Sequence, residues 1–226
     1  MRSLFRGFIL FLLASNVVAA QDLDAVRAAK HAMAVRISQP IRLDGLLDDP
    51  AWELAQPLRD FYQQWPDEYR PATRPTEVRF LYDDTTLYIG AMNYDDEPDT
   101  LIVNDLKRDF GAAQTEALGF AIDTFRDRQN AYGFQINPGG AMRDTLATEN
   151  GRNNDANWDA VWDVRTAILP NGWSLEMALP FKTLRFPDQP SQQWNLNVVR
   201  TSRASDRVIG STPTVILTHG LLFRRS

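Results

Sequence analysis

The stretch that most constrains the fold is TEVRFLYDDTTLYIGA, residues 76–91. Apolar side chains alternate with other side chains on both sides of the segment DDTT, residues 83–86. Alternation with a period of two is typical of a strand with one buried face, and Asp favours a turn between two such strands. We therefore predict a β-hairpin with one face in a core. The residues predicted to face this core are Val78, Phe80, Tyr82, Leu87, Ile89 and Ala91.

Five further strand candidates follow the hairpin along the chain. They are Leu118–Phe125, Ala131–Ile136, Trp162–Leu169, Trp173–Leu179 and Trp194–Arg200. Turn signals lie between them, with NPGG at residues 137–140 and PNG at residues 170–172. Because no strong helical period separates the candidates, the sequence predicts an all-β fold, an antiparallel β-sandwich.

One short helix is predicted near Pro50, in the stretch LDGLLDDPAW. Asp49 is a natural N-cap, Pro50 suits the first helical position, and Trp52 follows in the first turn. We interpret Trp52 as a buried ring that pins this helix, with a ligand contact as the alternative.

The first 20 residues have the pattern of a secretory signal peptide. Arg2 and Arg6 precede the apolar run at residues 8–14, and the small residue Ala20 marks the expected cleavage site. The run is too short to span a bilayer, which disfavours a membrane anchor. Cleavage after Ala20 leaves 206 of the 226 residues and changes the formal net charge from −5 to −7. Residues 21–34 are then a leader to the predicted sandwich.

Composition excludes several classes of function. The acidic balance with scattered charges disfavours nucleic-acid binding, and the absence of cysteine excludes thiolate metal sites and cysteine nucleophiles. The two histidines, His31 and His219, lie at opposite ends of the mature chain. A Ser/His/Asp triad or a histidine-rich zinc site is therefore not expected.

The stretch NNDANWDAVWDV, residues 153–164, contains the pattern D-x-N-x-D at Asp155, Asn157 and Asp159. It is not an EF-hand, because Ala160 and Thr166 stand where the required Gly and Glu would be. A looser calcium site built from oxygen ligands is an alternative, although no cofactor is expected to be required. Its candidate ligands are Asp155, Asp159, Asp95 and Asp96, with Asp83 and Asp84 as a further possibility.

The two tryptophans of this stretch have different predicted roles. Trp162 begins a strand candidate and is expected to face the core together with Val164, Thr166 and Ile168. Trp158 lies on the loop side, where a half-exposed ring suits stacking on the apolar face of a sugar. The alternative is that Trp158 only covers one end of the sandwich.

Six ordered segments carry a resemblance to a known family. They are IRLDGLLDDPAW, TEVRFLYDDTTLYIGA, FAIDTFRDRQNAYGFQINPGGAMRD, NWDAVWDV, GWSLEMALPFKTLRF and WNLNVVR. Over residues 35–203 the chain resembles the carbohydrate-binding family 9-like domain at the N-terminus of exported bacterial proteins that often continue into an outer-membrane β-barrel. The resemblance implies a β-sandwich and an association with polysaccharide binding and catabolism. It also implies a periplasmic or outer-membrane location in a Gram-negative bacterium.

The chain departs from this family in two places. Sugar-binding members place a tryptophan and an aspartate just before the strand that corresponds to residues 118–123, where this sequence has Ala113 and Glu116. After Arg203, the tail at residues 204–226 does not follow the family pattern. If the tail is truncated or frame-shifted, the last strand of the sandwich is expected to be absent or replaced, with an exposed edge.

Three hypotheses follow from these observations. The first is an exported module that binds a polysaccharide or oligosaccharide; its candidate residues are Trp158, Asn157, Asp159, Arg152 and Glu116. The second is a non-catalytic envelope adaptor that binds protein, suggested by Ala113. The third is hydrolysis of O-glycosyl bonds by a pair such as Glu149 with Asp155, although no catalytic pair stands out among the 29 acidic residues.

Overall fold

The computed structural model describes residues 31–64, 67, 70–103, 105–111 and 115–202, and the backbone of Trp65, 207–211 and 214–217. The described strands are β1 (His31–Met33), β2 (Val35–Arg36), β3 (Tyr62–Trp65), β4 (Thr76–Tyr82), β5 (Thr86–Tyr94), β6 (Ala117–Asp123), β7 (Ala131–Ile136), β8 (Met142–Thr148), β9 (Asn153–Asp155), β10 (Asp163–Leu169), β11 (Gly172–Pro180), β12 (Gln192–Ser202), β13 (Arg207–Ser211) and β14 (Thr214–Leu217). Short 3-10 helices cover Pro50–Leu54, Pro98–Thr100 and Phe181–Thr183. Among the described residues, no helix has the length and apolarity needed to cross a membrane.

The strands form two sheets. The large sheet has the order β1-β14-β12-β6-β7-β8-β9, with β13 beside β12 and β3 beside β13. The small sheet has the order β10-β11-β5-β4-β2. Most neighbours are antiparallel, and the two parallel pairs are β1 with β14 and β2 with β4. The predicted β-sandwich is thus confirmed, with two short parallel additions at its margins.

The main core lies between the sheets and is built by alternation along each strand. The predicted hairpin is β4 and β5, and its six core residues are buried as expected. The large sheet contributes alternate residues of β6, β7 and β12 to the same cluster. Those residues are Leu118, Phe120, Ile122, Phe134, Ile136, Trp194, Leu196 and Val198.

A second, smaller core covers the outer face of the small sheet. The helix at Pro50–Leu54 begins as predicted, because the Asp49 carboxylate accepts a hydrogen bond from Ala51 N at 2.9 Å. Trp52 is buried and packs with Ile37, Ile41, Leu81 and Tyr88. The prediction that Trp52 pins the helix is confirmed, since its indole N–H donates to Glu176 Oε1 at 2.8 Å.

Several sequence predictions about strands are wrong. None of the predicted strand candidates covers residues 142–157, whereas β8 spans Met142–Thr148 and β9 pairs with it over Asn153–Asp155. Ile168 was expected to face the core, but it is 56% exposed at the outer end of the edge strand β10. Residues 31–33, which fall within the predicted leader, form β1.

The tail adds strands to the large sheet. An exposed edge beside β12, the last family-like strand, was expected only if the tail is truncated or frame-shifted. In the structure, β12 pairs with β14 over Gln192–Asn195 and with β13 over Val198–Ser202. Ala113, which suggested the adaptor hypothesis, lies outside the described residues. So does His219, one of the two histidines considered for a triad or a zinc site.

Candidate functional site

Trp158 lies at the margin of the main core. Its ring centroid is 5.2 Å from that of Tyr132 and 6.1 Å from that of Phe134. Phe134 is fully buried, whereas Tyr132 and Trp158 are partly buried. Tyr132 is further fixed because its hydroxyl accepts a hydrogen bond from Arg185 N at 3.1 Å. We call Tyr132, Trp158 and the hairpin at residues 148–157 the Trp158 rim.

A buried aspartate holds the backbone beside Trp158. Asp144 points inward from β8, opposite Phe134 on β7, and is fully buried. Its carboxylate accepts a hydrogen bond from Ala160 N and two from Arg108 Nη2, at 2.8 and 3.0 Å. Arg108 also donates to Ala160 O at 3.1 Å. This buried, charge-assisted anchor keeps the segment carrying Trp158 in one position.

The β8–β9 hairpin supplies exposed polar groups in the segment that precedes Trp158. Arg152, Asp155 and Asn157 are exposed, and the Asp155 carboxylate accepts a hydrogen bond from Asn157 N at 2.9 Å. Glu149 has a φ of 55° in the turn and is exposed as well. Three of the five predicted sugar-binding residues, Trp158, Asn157 and Arg152, therefore fall in or directly beside one hairpin.

Of the other two predicted sugar-binding residues, Asp159 directly follows Trp158, whereas Glu116 lies elsewhere. The Asp159 side chain is 79% exposed, and its carboxylate lies 3.6 Å from Arg108 Nε. Glu116 is buried at the opposite end of the sandwich, where β6 begins, and its carboxylate accepts a hydrogen bond from Arg200 Nε at 3.1 Å. Burial raises the pKa of Glu116, and the charge of Arg200 offsets part of that rise. The structure therefore does not bring Glu116 to the Trp158 rim.

The predicted calcium ligands do not form one group. Asp95 is buried and its carboxylate lies 2.6 Å from Arg74 Nη1, while its neighbour Asp96 is exposed. Asp155 is at the other end of the sandwich. In the part of the chain that the structure describes, no three His, Cys, Asp or Glu side chains come together as metal ligands.

Asp83 and Asp84, the further calcium candidates, have other partners. Asp83 accepts hydrogen bonds from Thr85 N, Thr86 N and the Tyr88 hydroxyl. Burial opposes ionisation of Asp83, but these hydrogen bonds together hold its pKa below the ordinary value. Burial and the bond to Asp83 raise the pKa of Tyr88 to about 12. Asp84 forms an ion pair with Arg36.

A polar surface that sequence reasoning missed lies on the outer face of the large sheet. It is partly buried and centres on Gln135, Thr145, Asn195 and Asn197, which we call the polar face. Asn195 Nδ2 donates to Asp123 Oδ2 at 3.0 Å, whereas Asn197 Oδ1 is buried without a hydrogen-bond partner. The strand WNLNVVR carried the signal, because its asparagines alternate with core residues and must face outward.

Two glycines form the floor of the polar face. A Cβ placed on Gly133 would lie 2.3 Å from Thr145 Oγ1, and one on Gly119 would lie 3.2 Å from Gln135 Cγ. The side chains of Thr145 and Gln135 therefore lie over the two glycines, which have no side chain. The result is a surface of amides and hydroxyls that can exchange hydrogen bonds with a polar ligand.

Solved structures similar in fold to this chain include carbohydrate-binding modules. A family 9 module from Caldicellulosiruptor kristjanssonii in complex with cellotriose matches with a TM-score of 0.61 and 15% sequence identity, covering 87% of this chain and 95% of that one. This chain has the fold of a family 9 carbohydrate-binding module. A family 9 module from the same organism in complex with glucose has a TM-score of 0.62 and 14% identity, covering 87% of this chain and 97% of that one.

A solved structure from another organism is also similar to this chain. A protein from Bacteroides uniformis described as carbohydrate-binding has a TM-score of 0.65 and 10% identity, with 84% of this chain and 99% of that chain covered. No family model and no curated protein sequence matches this chain. The likeness is therefore one of fold, and the family 9 resemblance first noted from six sequence segments is confirmed at that level.

Proposed function

We propose that this protein binds a saccharide at the Trp158 rim. The observation that carries the proposal is the partly exposed pair Tyr132–Trp158, which rests on the core beside a polar hairpin. A saccharide ring has an apolar face that stacks on an aromatic side chain and hydroxyl groups that need hydrogen bonds. Tyr and Trp suit sites that are apolar on one side and wet on the other. Asn157 and Arg152, in the exposed hairpin before Trp158, carry groups that can form hydrogen bonds with a sugar.

The rim is also ready for binding without a large rearrangement. The segment that follows Trp158 is anchored by Asp144 and Arg108, and Tyr132 is fixed through Arg185 N. A preorganised site loses less conformational entropy on binding than a mobile loop. The modules with the same fold bind cellotriose and glucose, which makes these two sugars the first probes for this chain.

Export belongs to the same proposal. The N-terminal pattern at residues 1–20 supports secretion, and the resemblance to exported family 9-like domains supports a periplasmic or outer-membrane location. In that setting a binding module would hold the protein near polysaccharide and assist its breakdown by an O-glycosyl hydrolase. The chain's own part in this proposal is binding and does not include the cleavage step.

The proposal is tested by retention of the purified protein on insoluble polysaccharides and by titration with cellotriose and glucose. Trp158→Ala is expected to lose binding by at least about tenfold, because aromatic anchors commonly contribute 1.4 kcal/mol or more. Leu106→Ala is the matched control, since Leu106 is 72% exposed and contacts the β7–β8 turn at the opposite end of the sandwich. Circular dichroism establishes that both variants are folded.

Two further arms of this experiment separate the alternatives. Loss of binding in Gln135→Ala or Asn197→Ala with full binding in Trp158→Ala would move the site to the polar face. Equal binding with calcium and with a chelator is expected, since the predicted calcium ligands are not grouped among the described residues. A folded protein that binds no glycan but retains a protein partner from an envelope extract would support the adaptor instead.

A further inference from the structure

Four charged side chains meet inside the sandwich, at the end opposite the Trp158 rim. Arg200 is 1% exposed and donates from Nε to Glu116 Oε1 at 3.1 Å. Its Nη1 donates to Pro75 O and Tyr94 O at 3.2 and 3.0 Å. Arg74 Nη1 lies 2.6 Å from Asp95 Oδ2. Two cations and two carboxylates are therefore enclosed together, and their formal charges cancel.

Several polar atoms within this group have no hydrogen-bond partner. They are both side-chain atoms of Asn93, the indole nitrogen of Trp173 and Nη2 of Arg200. Asn93 and Trp173 are fully buried. A weak hydrogen bond from the Trp173 indole N–H lowers the pKa of Glu116, but this contact falls outside the geometry of a normal hydrogen bond. Arg200 Nη2 is 3.7 Å from Asp95 Oδ2, which is too long for a hydrogen bond.

The sheet register places these atoms around one interior region. Asn93 on β5 is paired with Trp173 on β11 at one side and with Thr76 on β4 at the other. The Thr76 hydroxyl in turn accepts a hydrogen bond from Arg200 Nη1 at 3.3 Å. The chain of contacts therefore runs from Asn93 through Thr76 to Arg200, then to Glu116 and back to Trp173.

We propose that this region is a binding site for at least one buried water molecule. A buried polar atom without a partner costs about 1–3 kcal/mol, and four such atoms in one place call for a common partner. Water accepts from Trp173 Nε1 and Arg200 Nη2 and donates to Asn93 Oδ1, which matches the usual three hydrogen bonds of a buried water. A polar contact longer than 3.5 Å, such as that between Arg200 and Asp95, is also typical of water-bridged groups.

The charge balance favours water over an ion as the occupant. An anion would be repelled by Glu116 and Asp95, and a cation would be repelled by Arg74 and Arg200. A neutral molecule that both donates and accepts satisfies three of the four orphaned atoms without disturbing these pairs. This inference is independent of saccharide binding, because the region and the Trp158 rim lie at opposite ends of the sandwich.

The test is an NMR measurement of cross-relaxation between water and the tryptophan indole protons of the purified protein. The Trp173 indole proton is expected to show a cross-peak with a long-lived water. Trp173→Phe assigns the resonance, and Trp52 is the internal control because its indole already donates to Glu176. Asn93→Leu is expected to abolish the cross-peak by filling the site with an apolar side chain.

Two results would overturn the proposal. One is a Trp173 indole proton that, like that of Trp52, shows no contact with water. The other is crystallographic electron density in which Asn93 and Trp173 bond directly to protein groups or to an ion. Density for a water within about 3.2 Å of Trp173 Nε1 and Asn93 would support it even if Asn93→Leu fails to fold.

Discussion

Trp158 shows how much a single residue's role depends on its surroundings. The sequence left two roles open, a stacking platform and a cover for the end of the sandwich. The ring packs on Tyr132 and Phe134 and still keeps part of its surface open, so it satisfies both descriptions. Its anchor, Asp144, was not predicted, because an aspartate facing inward from a strand contradicts the alternation that identifies strands.

The first residue-scale prediction compares two buried tryptophans. Trp52→Phe removes the donor to Glu176 Oε1, whereas the Trp162 indole N–H is buried without a partner. Both changes remove the same atoms. The difference between their costs in free energy of unfolding therefore reports on the hydrogen bond from Trp52 to Glu176. Trp52→Phe is expected to cost about 1–3 kcal/mol more free energy of unfolding than Trp162→Phe. Urea denaturation measures this, and equal costs would contradict the assigned bond.

The second residue-scale prediction concerns pH and Glu176. This buried carboxylate accepts hydrogen bonds from Asp44 N, Gly45 N and Trp52 Nε1, yet burial raises its pKa above the ordinary 4.5. The native state therefore binds a proton more readily than the unfolded state. The free energy of unfolding should then fall as pH rises from 4.5 through the raised native pKa.

The Glu176→Gln variant isolates this contribution. Its stability, followed by urea denaturation between pH 4.5 and about 7, should fall less steeply than that of the parent. Glu116, whose pKa burial also raises, gives both proteins a residual slope of the same sign. Identical slopes would mean that the Glu176 carboxyl is not shifted.

At the scale of elements, the sequence predicted the strands that alternate cleanly and missed those that do not. The hairpin of β4 and β5, and β7 over Ala131–Ile136, agree with prediction. Strand β9, with the sequence NND, has no apolar residue and owes its form to pairing with β8. Strand β3 forms beside β13, a partner more than 140 residues away that local patterns cannot reveal.

One element-scale prediction compares two glycines with positive φ. Gly172 starts β11 with a φ of 137°, and a Cβ there would lie 2.0 Å from Asn93 O. Gly151, in the β8–β9 turn, has a φ of 78° with nothing within 4 Å of an added Cβ. Gly151→Ala should cost about 1 kcal/mol of stability, and Gly172→Ala at least about 2 kcal/mol more. Thermal or urea unfolding of both variants measures this; similar costs would contradict the turn geometry.

At the scale of the whole molecule, the last two strands connect β12 of the large sheet to β1 and β3. Strand β14 lies between β12 and β1, and β13 joins β12 to β3. The sequence could not predict this, because residues 204–226 match no family pattern and strand pairing at this distance follows from the tertiary fold. The edge of β12 that a truncated tail would expose is paired with β13 and β14.

A truncated variant tests the role of β13 and β14 in the large sheet. Deletion of residues 207–226 removes β13 and β14. It leaves β1, β3 and one edge of β12 without a neighbouring strand. Unpaired edges promote association between chains. The shortened protein is expected to aggregate or to lose cooperative unfolding, as followed by size-exclusion chromatography and circular dichroism. A monomer with the parent's unfolding midpoint would show that the tail strands contribute nothing.

Saccharide contact with Trp158 can be observed in a titration of the purified protein with cellotriose, followed through the indole signals of its six tryptophans by NMR. The Trp158 indole signal is expected to shift in a saturable manner, while the signals of the buried Trp52 and Trp194 are expected to stay unchanged. Saturable binding that leaves the Trp158 signal unchanged would contradict the proposed contact.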